Sequence, residues 1–241
     1  MVKSPLIEHF MVTALQQRCS VVTDPEDGTC VIIDGGGEAD RIISWLDNGE
    51  GSGPDATIGE YQGERNVVAL LNTHAHFDHS GHIPYLLERY DVKWHLHADD
   101  AFLQSTVQSA ANRWGFMVPE PAIADIEWEH GDLFSFNNLN FEIIHTPGHT
   151  LGGCCLKLEV EDGSDHLFVG DTLFEGSVGR TDLPDSGGDM DLLLRMIKER
   201  LWPLEADTVV HPGHGPLTTI GHEKETNPYV NGHRFGRGSW L

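Results

Sequence analysis

The chain has 241 residues, of which 39% are hydrophobic and 22% are charged, a balance typical of a globular protein with a buried core. Its formal net charge of −23 argues against a nucleic-acid partner, because proteins bind phosphate backbones with surplus lysine and arginine. No apolar run reaches the roughly 18–20 residues that span a bilayer, and no secretory signal follows Met1. We therefore expect a cytoplasmic protein without a membrane partner, and the sequence predicts no particular oligomeric state.

Short strands and one helix are predicted in the first third of the chain. The strands are expected over 11–15, 19–23, 29–34 and 67–71. A helix is expected over 39–46, and the glycine run at 35–37 before it lacks the neighbours of a phosphate-binding loop. Residues 48–66 are polar and glycine-rich, so we expect a loop insertion there.

Helices and strands alternate in the rest of the chain, and the length fits a single domain over residues 1–241. The expected helices are 83–90, 98–114, 190–201 and 223–229, and the expected strands are 92–96, 141–145, 154–160, 166–170 and 208–211. Residues 232–241 are expected to form a flexible tail.

Four cysteines occur in the chain, and none belongs to a Cys-x-x-Cys pair: Cys19, Cys30, Cys154 and Cys155. Their number suits a reducing compartment as well as any disulfide scheme, and we expect all four to be structural thiols. Cys154 and Cys155 are adjacent in a predicted strand, so their side chains are expected on opposite faces of the sheet.

The segment 73–79, Thr-His-Ala-His-Phe-Asp-His, directly follows a predicted strand. Histidine is the commonest metal-binding side chain near neutral pH, and carboxylate is a natural oxygen partner. Alternate residues of an extended chain face the same way, so His74 and His76 can bind one ion together. Asp78 and His79 follow where the chain turns, and they can serve a second ion. The segment therefore predicts a metal site.

Three later motifs each place a candidate ligand beyond a predicted strand and beside a small or rigid residue. They are Thr-Pro-Gly-His with His149, Gly-Asp-Thr with Asp171, and Gly-His-Gly with His214. Sites of α/β proteins are built at the carboxyl ends of strands, so these ligands are expected to meet the histidine cluster.

With these motifs in this order, the chain resembles the metallo-β-lactamase fold superfamily, and within it the glyoxalase II-like hydrolases of the short bacterial type. The resemblance extends from about residue 11 to residue 229. It implies an α/β fold class, namely a four-layered αβ/βα sandwich with the metal site at one edge of two facing sheets.

The resemblance also implies which side chains bind which ion. One ion would take three histidines, a second would take two histidines and a carboxylate, and another carboxylate would bridge both. In that order, the implied ligands are His74, His76 and His149; Asp78, His79 and His214; and Asp171. The implied cofactors are two divalent ions, zinc first, with iron or manganese as alternatives.

The implied reaction is hydrolysis of a small-molecule thioester, such as S-lactoylglutathione, or of a related ester. Two ions about 3.5–4 Å apart lower the pKa of a shared water from ~16 to about 7, and the resulting hydroxide attacks the carbonyl. Asp78 would orient this hydroxide and Asp171 would hold both ions. Arg180 would either bind a substrate carboxylate or form a structural salt bridge. Too few residues follow His214 for the helical domain with which glyoxalase II binds glutathione.

The main alternative is a persulfide dioxygenase, which uses one iron held by two histidines and a carboxylate. His74, His149 and Asp171 could form that triad, but His214 completes a second set and favours the hydrolase. A non-catalytic metal-binding module is a third possibility, against which the intact ligand set argues. Lactonase or β-lactamase activity stays open, because one scaffold hosts many reactions.

Other histidines and one carboxylate are assigned supporting positions. The histidines expected to be structural are His82, His95, His97, His130 and His145, and His211 is expected in the core or beside the site. Asp34 follows a predicted strand at a position that, by the resemblance, braces the site, as carboxylates behind ligating histidines commonly do.

Overall fold

The computed structural model describes residues 1–232 of the chain, so most of the predicted tail lies outside the described residues. Within them, two large β-sheets face each other, and helices cover both outer surfaces. All seven predicted metal ligands and Arg180 are included.

The first sheet has seven strands in the order β4-β1-β2-β3-β5-β6-β7. They are β1 (Leu6–Val12), β2 (Gln17–Thr23), β3 (Thr29–Ile33), β4 (Ala56–Ile58), β5 (Asn66–Leu71), β6 (Lys93–His97) and β7 (Ile126–Trp128). Strands β1 to β3 are antiparallel, whereas β3, β5, β6 and β7 run parallel. The parallel strands therefore end at one common edge.

The second sheet has six strands in the order β15-β14-β11-β10-β9-β8. The remaining strands are β8 (Leu133–Phe136), β9 (Leu139–His145), β10 (Cys154–Leu158), β11 (His166–Gly170), β12 (Leu173–Phe174), β13 (Ser177–Val178), β14 (Val209–Pro212) and β15 (Thr218–Thr219). Strands β12 and β13 form a separate pair. Strands β9, β11 and β14 share one direction, because β10 is antiparallel to β9 and β11 while β14 is parallel to β11.

Seven α-helices connect and cover the strands within the described residues. They are α1 (Ala39–Asn48), α2 (Phe77–Ser80), α3 (Ile83–Tyr90), α4 (Ala101–Gln104), α5 (Val107–Arg113), α6 (Met190–Met196) and α7 (Ile220–Thr226). The side chains of Asp189 and Thr219 cap α6 and α7 by accepting hydrogen bonds from backbone amides. None of the helices within residues 1–232 has the length and apolar character to cross a bilayer.

Three apolar clusters define four layers. One cluster joins α1 and α3 to the first sheet, a second lies between the sheets, and a third joins α6 and α7 to the second sheet. Cys154 belongs to the central cluster and Cys155 to the outer one, so their predicted opposite orientation is confirmed. The four-layered sandwich is confirmed as well. Because the sheets share the central cluster, we continue to propose one domain.

Some predicted elements are wrong in position or continuity. The first strand covers Leu6–Val12 instead of 11–15, because Thr13 and Gln16 adopt positive φ in the turn to β2. The helix expected over 98–114 is interrupted: a 3₁₀ turn over Ala98–Asp100 precedes α4 and α5. The helix expected over 223–229 begins earlier, as α7.

The segment 48–66, expected as a loop insertion, is mostly irregular but contains β4, which pairs with β1 at the edge of the first sheet. Arg65 donates to both carboxylate oxygens of the buried Glu8, at 2.9 and 3.1 Å, and the Trp45 indole donates to the same group at 2.8 Å. The segment is thus fixed to the sheet. A cavity of about 980 Å³ beside it contains none of the predicted ligands.

A row of polar side chains crosses the layer between the sheets. His9 Nδ1 lies 3.0 Å from Ser20 Oγ, and His9 Nε2 lies 3.1 Å from His211 Nδ1. His211 Nε2 in turn lies 2.9 Å from His166 Nδ1, and Phe168 stacks on the His211 ring. His211 therefore belongs to the core, one of the two positions expected for it.

Buried His9 makes the stability of the protein depend on pH. Burial, assisted by the charge of Arg18, lowers the pKa of His9 from 6.5 to about 3. Below pH 6.5 the unfolded chain binds a proton that the folded chain does not, so the free energy of unfolding falls as the pH falls. For one such histidine the loss approaches about 1.4 kcal/mol per pH unit and ends near the folded pKa.

We expect His9→Gln to remove this contribution. From about pH 6 to about pH 5, its unfolding free energy should fall by roughly 1 kcal/mol less than that of the wild type. Urea unfolding followed by tryptophan fluorescence measures both slopes. The exposed His130→Gln variant is the control and keeps the wild-type slope. Identical slopes for wild type and His9→Gln would contradict the assignment.

Candidate metal centre

The predicted histidine cluster lies at the edge of the first sheet, beyond the carboxyl end of β5. His74 and His76 follow the strand, and α2 then begins and carries Asp78 and His79 in its first turn. His76 has extended backbone angles, with φ −63° and ψ 151°, so the chain turns only after both histidines have been presented.

The other three predicted ligands come from the second sheet. His149 follows β9, Asp171 directly follows β11, and His214 follows β14. Because these strands share one direction, their carboxyl ends meet at the edge that faces the histidine cluster. The structure thus brings all seven predicted ligands together.

His74, His76 and His149 form the first group of ligand atoms. One ring nitrogen from each lies within 4.8 Å of the others, and His76 Nδ1 lies 2.9 Å from His149 Nε2. His74 and His149 are buried, and His76 is partly exposed on the side of the cavity.

Asp78, His79 and His214 form the second group, again with ligand atoms within 4.8 Å of one another. Asp78 Oδ2 lies 3.2 Å from His214 Nε2 and 3.9 Å from His79 Nε2. His79 is fully buried, while His214 is more exposed and lines the cavity.

Asp171 lies between the two groups and faces each with a different oxygen. Its Oδ2 is 3.6 Å from His149 Nε2 in the first group. Its Oδ1 is 3.4 Å from His79 Nε2 and 3.8 Å from His214 Nε2 in the second.

Four of the five histidines donate Nδ1–H to a protein oxygen. The pairs are His74 with Thr73 Oγ1 (3.1 Å), His79 with Asp34 Oδ2 (3.0 Å), His149 with the Arg180 carbonyl (2.7 Å) and His214 with the Leu15 carbonyl (3.1 Å). These contacts select the tautomer that carries its lone pair on Nε2, and they fix the ring orientation. Only His76 differs, since its Nδ1 faces the first group.

Three buried atoms at the centre of the site have no hydrogen-bond partner: His74 Nε2, His79 Nε2 and Asp171 Oδ1. Leaving such an atom unsatisfied costs about 1–3 kcal/mol. Imidazole nitrogen and carboxylate oxygen are also the ligands that zinc and iron accept. The donor set therefore fits divalent metal ions.

The electrostatics of the site point the same way. Burial lowers the pKa of His76 to about 3 and that of His74 well below its usual value, so both are neutral, as metal ligation requires. Burial also disfavours charge on His79, but Asp171, Asp78 and Asp34 outweigh it and raise the pKa of His79 well above its usual value. The carboxylates thus create a strong local demand for positive charge.

Asp34, predicted to brace the site, holds the start of the histidine segment. Its Oδ1 accepts hydrogen bonds from the Thr73 amide at 2.8 Å and from the Asn72 side chain at 3.2 Å. Its Oδ2 accepts from Thr73 Oγ1 at 2.7 Å as well as from His79. One carboxylate therefore positions His79 and the segment that leads to His74.

Two supporting residues were not predicted from the sequence. Asp100 accepts hydrogen bonds from the Ala75 amide at 3.0 Å, from Thr150 Oγ1 at 3.0 Å and from the Gly152 amide at 2.6 Å. It therefore joins the loops that carry His76 and His149, and this inward turn explains why the helix expected over 98–114 is interrupted.

Arg18 supports the loop that carries His214. Its guanidinium donates to the Pro212 carbonyl at 2.9 Å and to the Gly215 carbonyl at 2.6 Å, and its amide donates to the Gly213 carbonyl at 2.7 Å. Arg18 lies just before the strand predicted over 19–23, and nothing in the sequence reveals its partner 194 residues away.

Two glycines permit the close approach of these loops. A Cβ on Gly36 would lie 1.5 Å from the Asp78 carbonyl oxygen, and one on Gly213 would lie 2.5 Å from Asp171 Oδ1. Within the run at 35–37, Gly36 is therefore the packing site for the backbone of α2.

Arg180 lines a cavity of about 640 Å³ that opens onto the ligands. Its guanidinium is paired with Asp182, with oxygen distances of 2.7 and 3.1 Å. The structural pair expected as one alternative is therefore present, and binding of a substrate carboxylate by Arg180 stays a prediction. Its carbonyl, a contact that the sequence could not predict, orients His149.

His97, His145 and Asp99 form a further group with ligand-like spacing. The two rings stack with centroids 3.9 Å apart and planes 18° apart. An imidazole binds a metal in its ring plane, and one ion cannot lie in both of two stacked planes. The expected structural role of these histidines fits this arrangement better.

Comparison with known proteins agrees with this geometry. The chain is 36% identical over 228 residues to hydroxyacylglutathione hydrolase GloC of Haemophilus influenzae, covering 93% of this chain and 98% of the relative. Among solved structures, BLEG-1 B3 metallo-beta-lactamase superposes with a TM-score of 0.78 at 31% identity, covering 94% of this chain and all of that one. TTHA1623, solved in a di-iron-bound form, superposes with a TM-score of 0.73 at 34% identity, covering 90% and 97%.

A family model described as the metallo-beta-lactamase superfamily matches residues 12–214, which include all seven predicted ligands. The chain belongs to the metallo-beta-lactamase superfamily.

Proposed function

We propose that the protein is a metal-dependent hydrolase that cleaves thioesters or related esters at a site for two divalent ions. The position of Asp171 carries the proposal, since its two oxygens face separate ligand groups at 3.6 and 3.4 Å. A carboxylate in this position suits a bridge between two ions. The first ion would be held by His74, His76 and His149, and the second by Asp78, His79 and His214.

The spacing of the ligand atoms supports this assignment. Ligands about 2.0–2.2 Å from a tetrahedral ion lie about 3.3–3.6 Å from one another. Three distances between ligand atoms are close to this range: 3.2 Å between His214 and Asp78, 3.4 Å between His79 and Asp171, and 3.6 Å between His149 and Asp171. Zinc is the expected metal, and iron is the main alternative because TTHA1623 was solved with two irons.

Ions bound here would lower the pKa of a water to near neutrality and polarise the substrate carbonyl. The protein contributes position and environment. Asp78 Oδ2 lies toward His214 Nε2, so the other oxygen of Asp78 would accept a hydrogen bond from the attacking water and orient it. Phe174 and Val178 line the cavity beside the ligands and would exclude bulk water, which strengthens the electrostatic interactions within.

The rival reaction, oxygenation at one iron, needs only His74, His149 and Asp171. It would leave Asp78, His79 and His214 without a role, although they are gathered as closely as the first group. The name of the Haemophilus influenzae relative supports S-lactoylglutathione as the first thioester to test.

A cytoplasmic location and a small-molecule substrate belong to the same proposal. All four cysteines are buried and free of disulfides, as suits a reducing compartment.

Metal content and turnover measured on one preparation test the reaction. We expect two metal ions per chain and hydrolysis of S-lactoylglutathione that a chelator reduces at least about 100-fold and added zinc or iron restores, since the ions activate the water. One iron per chain, with oxygen consumption on glutathione persulfide and no thioester hydrolysis, would contradict the proposal.

His214→Ala tests the division of ligands between the ions. The variant loses one ligand of the second group and none of the first, so we expect it to retain about one metal per chain and to lose most of its hydrolase activity. Elemental analysis measures the change. His222→Ala, which removes an exposed histidine of α7, is the matched control and keeps both metals. Loss of both metals from His214→Ala would count against the assignment.

A further inference from the structure

The walls of the cavity above the ligands combine apolar side chains with two positively charged ones. Most of its lining is apolar or aromatic, including Trp114, Phe174 and Leu183. Two arginines, Arg113 and Arg180, also line it. The chain has only 15 lysines and arginines against 38 acidic residues, so two arginines in one cavity stand out.

The acidic groups of this cavity do not cancel the arginines once cations are bound. The two lining carboxylates, Asp78 and Asp171, face the ligand groups. With their charge offset by bound ions, the two arginines are the charged side chains left in the lining, and their aspartate partners lie outside it. An arginine in the lining that can exchange its aspartate partner for a ligand carboxylate favours an anionic ligand.

The two arginines differ in how closely each is paired with an aspartate. Arg180 forms a close two-point pair with Asp182. Arg113, at the end of α5, has its Nη1 3.8 Å from Asp185 Oδ2, and both side chains are more than half exposed, at 54% and 70%. An exposed pair of this kind contributes only about 0–1 kcal/mol, so a ligand carboxylate can displace Asp185.

We propose that Arg113 binds a carboxylate of the substrate at the mouth of the cavity and thereby favours anionic over uncharged thioesters. This inference rests on the proposed hydrolase function. Trp114 follows Arg113 and is 56% exposed. Its apolar face can contact the part of the substrate that lies between that carboxylate and the reacting carbonyl. Asp185 competes with the substrate for Arg113.

The proposal predicts opposite effects for two substitutions. Arg113→Gln should raise the KM for S-lactoylglutathione about 2- to 5-fold, the range of an exposed ion pair, with kcat changed less than about 2-fold. Asp185→Asn removes the competitor and should lower that KM about 2- to 5-fold. The uncharged thioester of lactate with N-acetylcysteamine should show the same kinetics in all three proteins. Arg89→Gln, which breaks an exposed pair with Asp47 outside the cavity, is the control and should leave KM and kcat unchanged for both thioesters.

Binding of S-methylglutathione, which is anionic and has no thioester to cleave, separates this inference from the proposed reaction. Calorimetry should show weaker binding to Arg113→Gln and tighter binding to Asp185→Asn, whether or not the protein hydrolyses thioesters. Unchanged binding and KM in Arg113→Gln would overturn the inference while leaving the hydrolase proposal intact. An equal rise in KM for the uncharged thioester would also overturn it, because it would mark a structural defect.

Discussion

The hydrogen bonds that fix the imidazoles determine how the rest of the site is arranged. Four histidines donate Nδ1–H to protein oxygens and direct Nε2 inward, where Asp171 lies between the two groups. Buried lone pairs and carboxylates brought this close repel one another unless positive charge lies between them. Asp171, Asp78 and Asp34 raise the pKa of His79 well above its usual value, which reflects the demand for positive charge at this point. Two divalent ions would supply that charge.

This arrangement depends on the two sheets meeting at one edge. Parallel strands of the first sheet deliver His74, His76, Asp78 and His79, and strands of the second deliver His149, Asp171 and His214. Asp34 fixes the first set, Asp100 joins the two sheets, and Arg18 holds the last loop from across the interface. Each of these residues holds backbone atoms close to the candidate ligands, and Asp34 also holds a ligand imidazole, as preorganisation of a metal site requires.

The fold and the meeting of the seven candidate ligands were largely predictable, because an apolar run followed closely by His or Asp marks the carboxyl end of a strand. The supporting residues were harder to find. Arg18 and Asp100 act on carbonyls and amides far away in sequence, and the Leu15 and Arg180 carbonyls carry no side-chain signal. Strands β4, β7 and β8 have only three or four residues, too few for a period to be recognised. The interruption at Ala98–Asp100 follows from the contacts of Asp100, which local helix propensity does not include.

Substrate choice depends on a different part of the molecule from the chemistry. The ligands lie at the base of the cavity, whereas Arg113, Trp114 and Arg180 line its walls. Relatives that share the ligands at the bottom of the cavity can therefore act on different substrates. The central claim is that the bottom of the cavity is a site for two metal ions. Anomalous diffraction from crystals of the metal-loaded protein tests it most directly. The account predicts two peaks about 3.5–4 Å apart, one on each side of the Asp171 carboxylate. A single peak, held by His74, His149 and Asp171 alone, would contradict it.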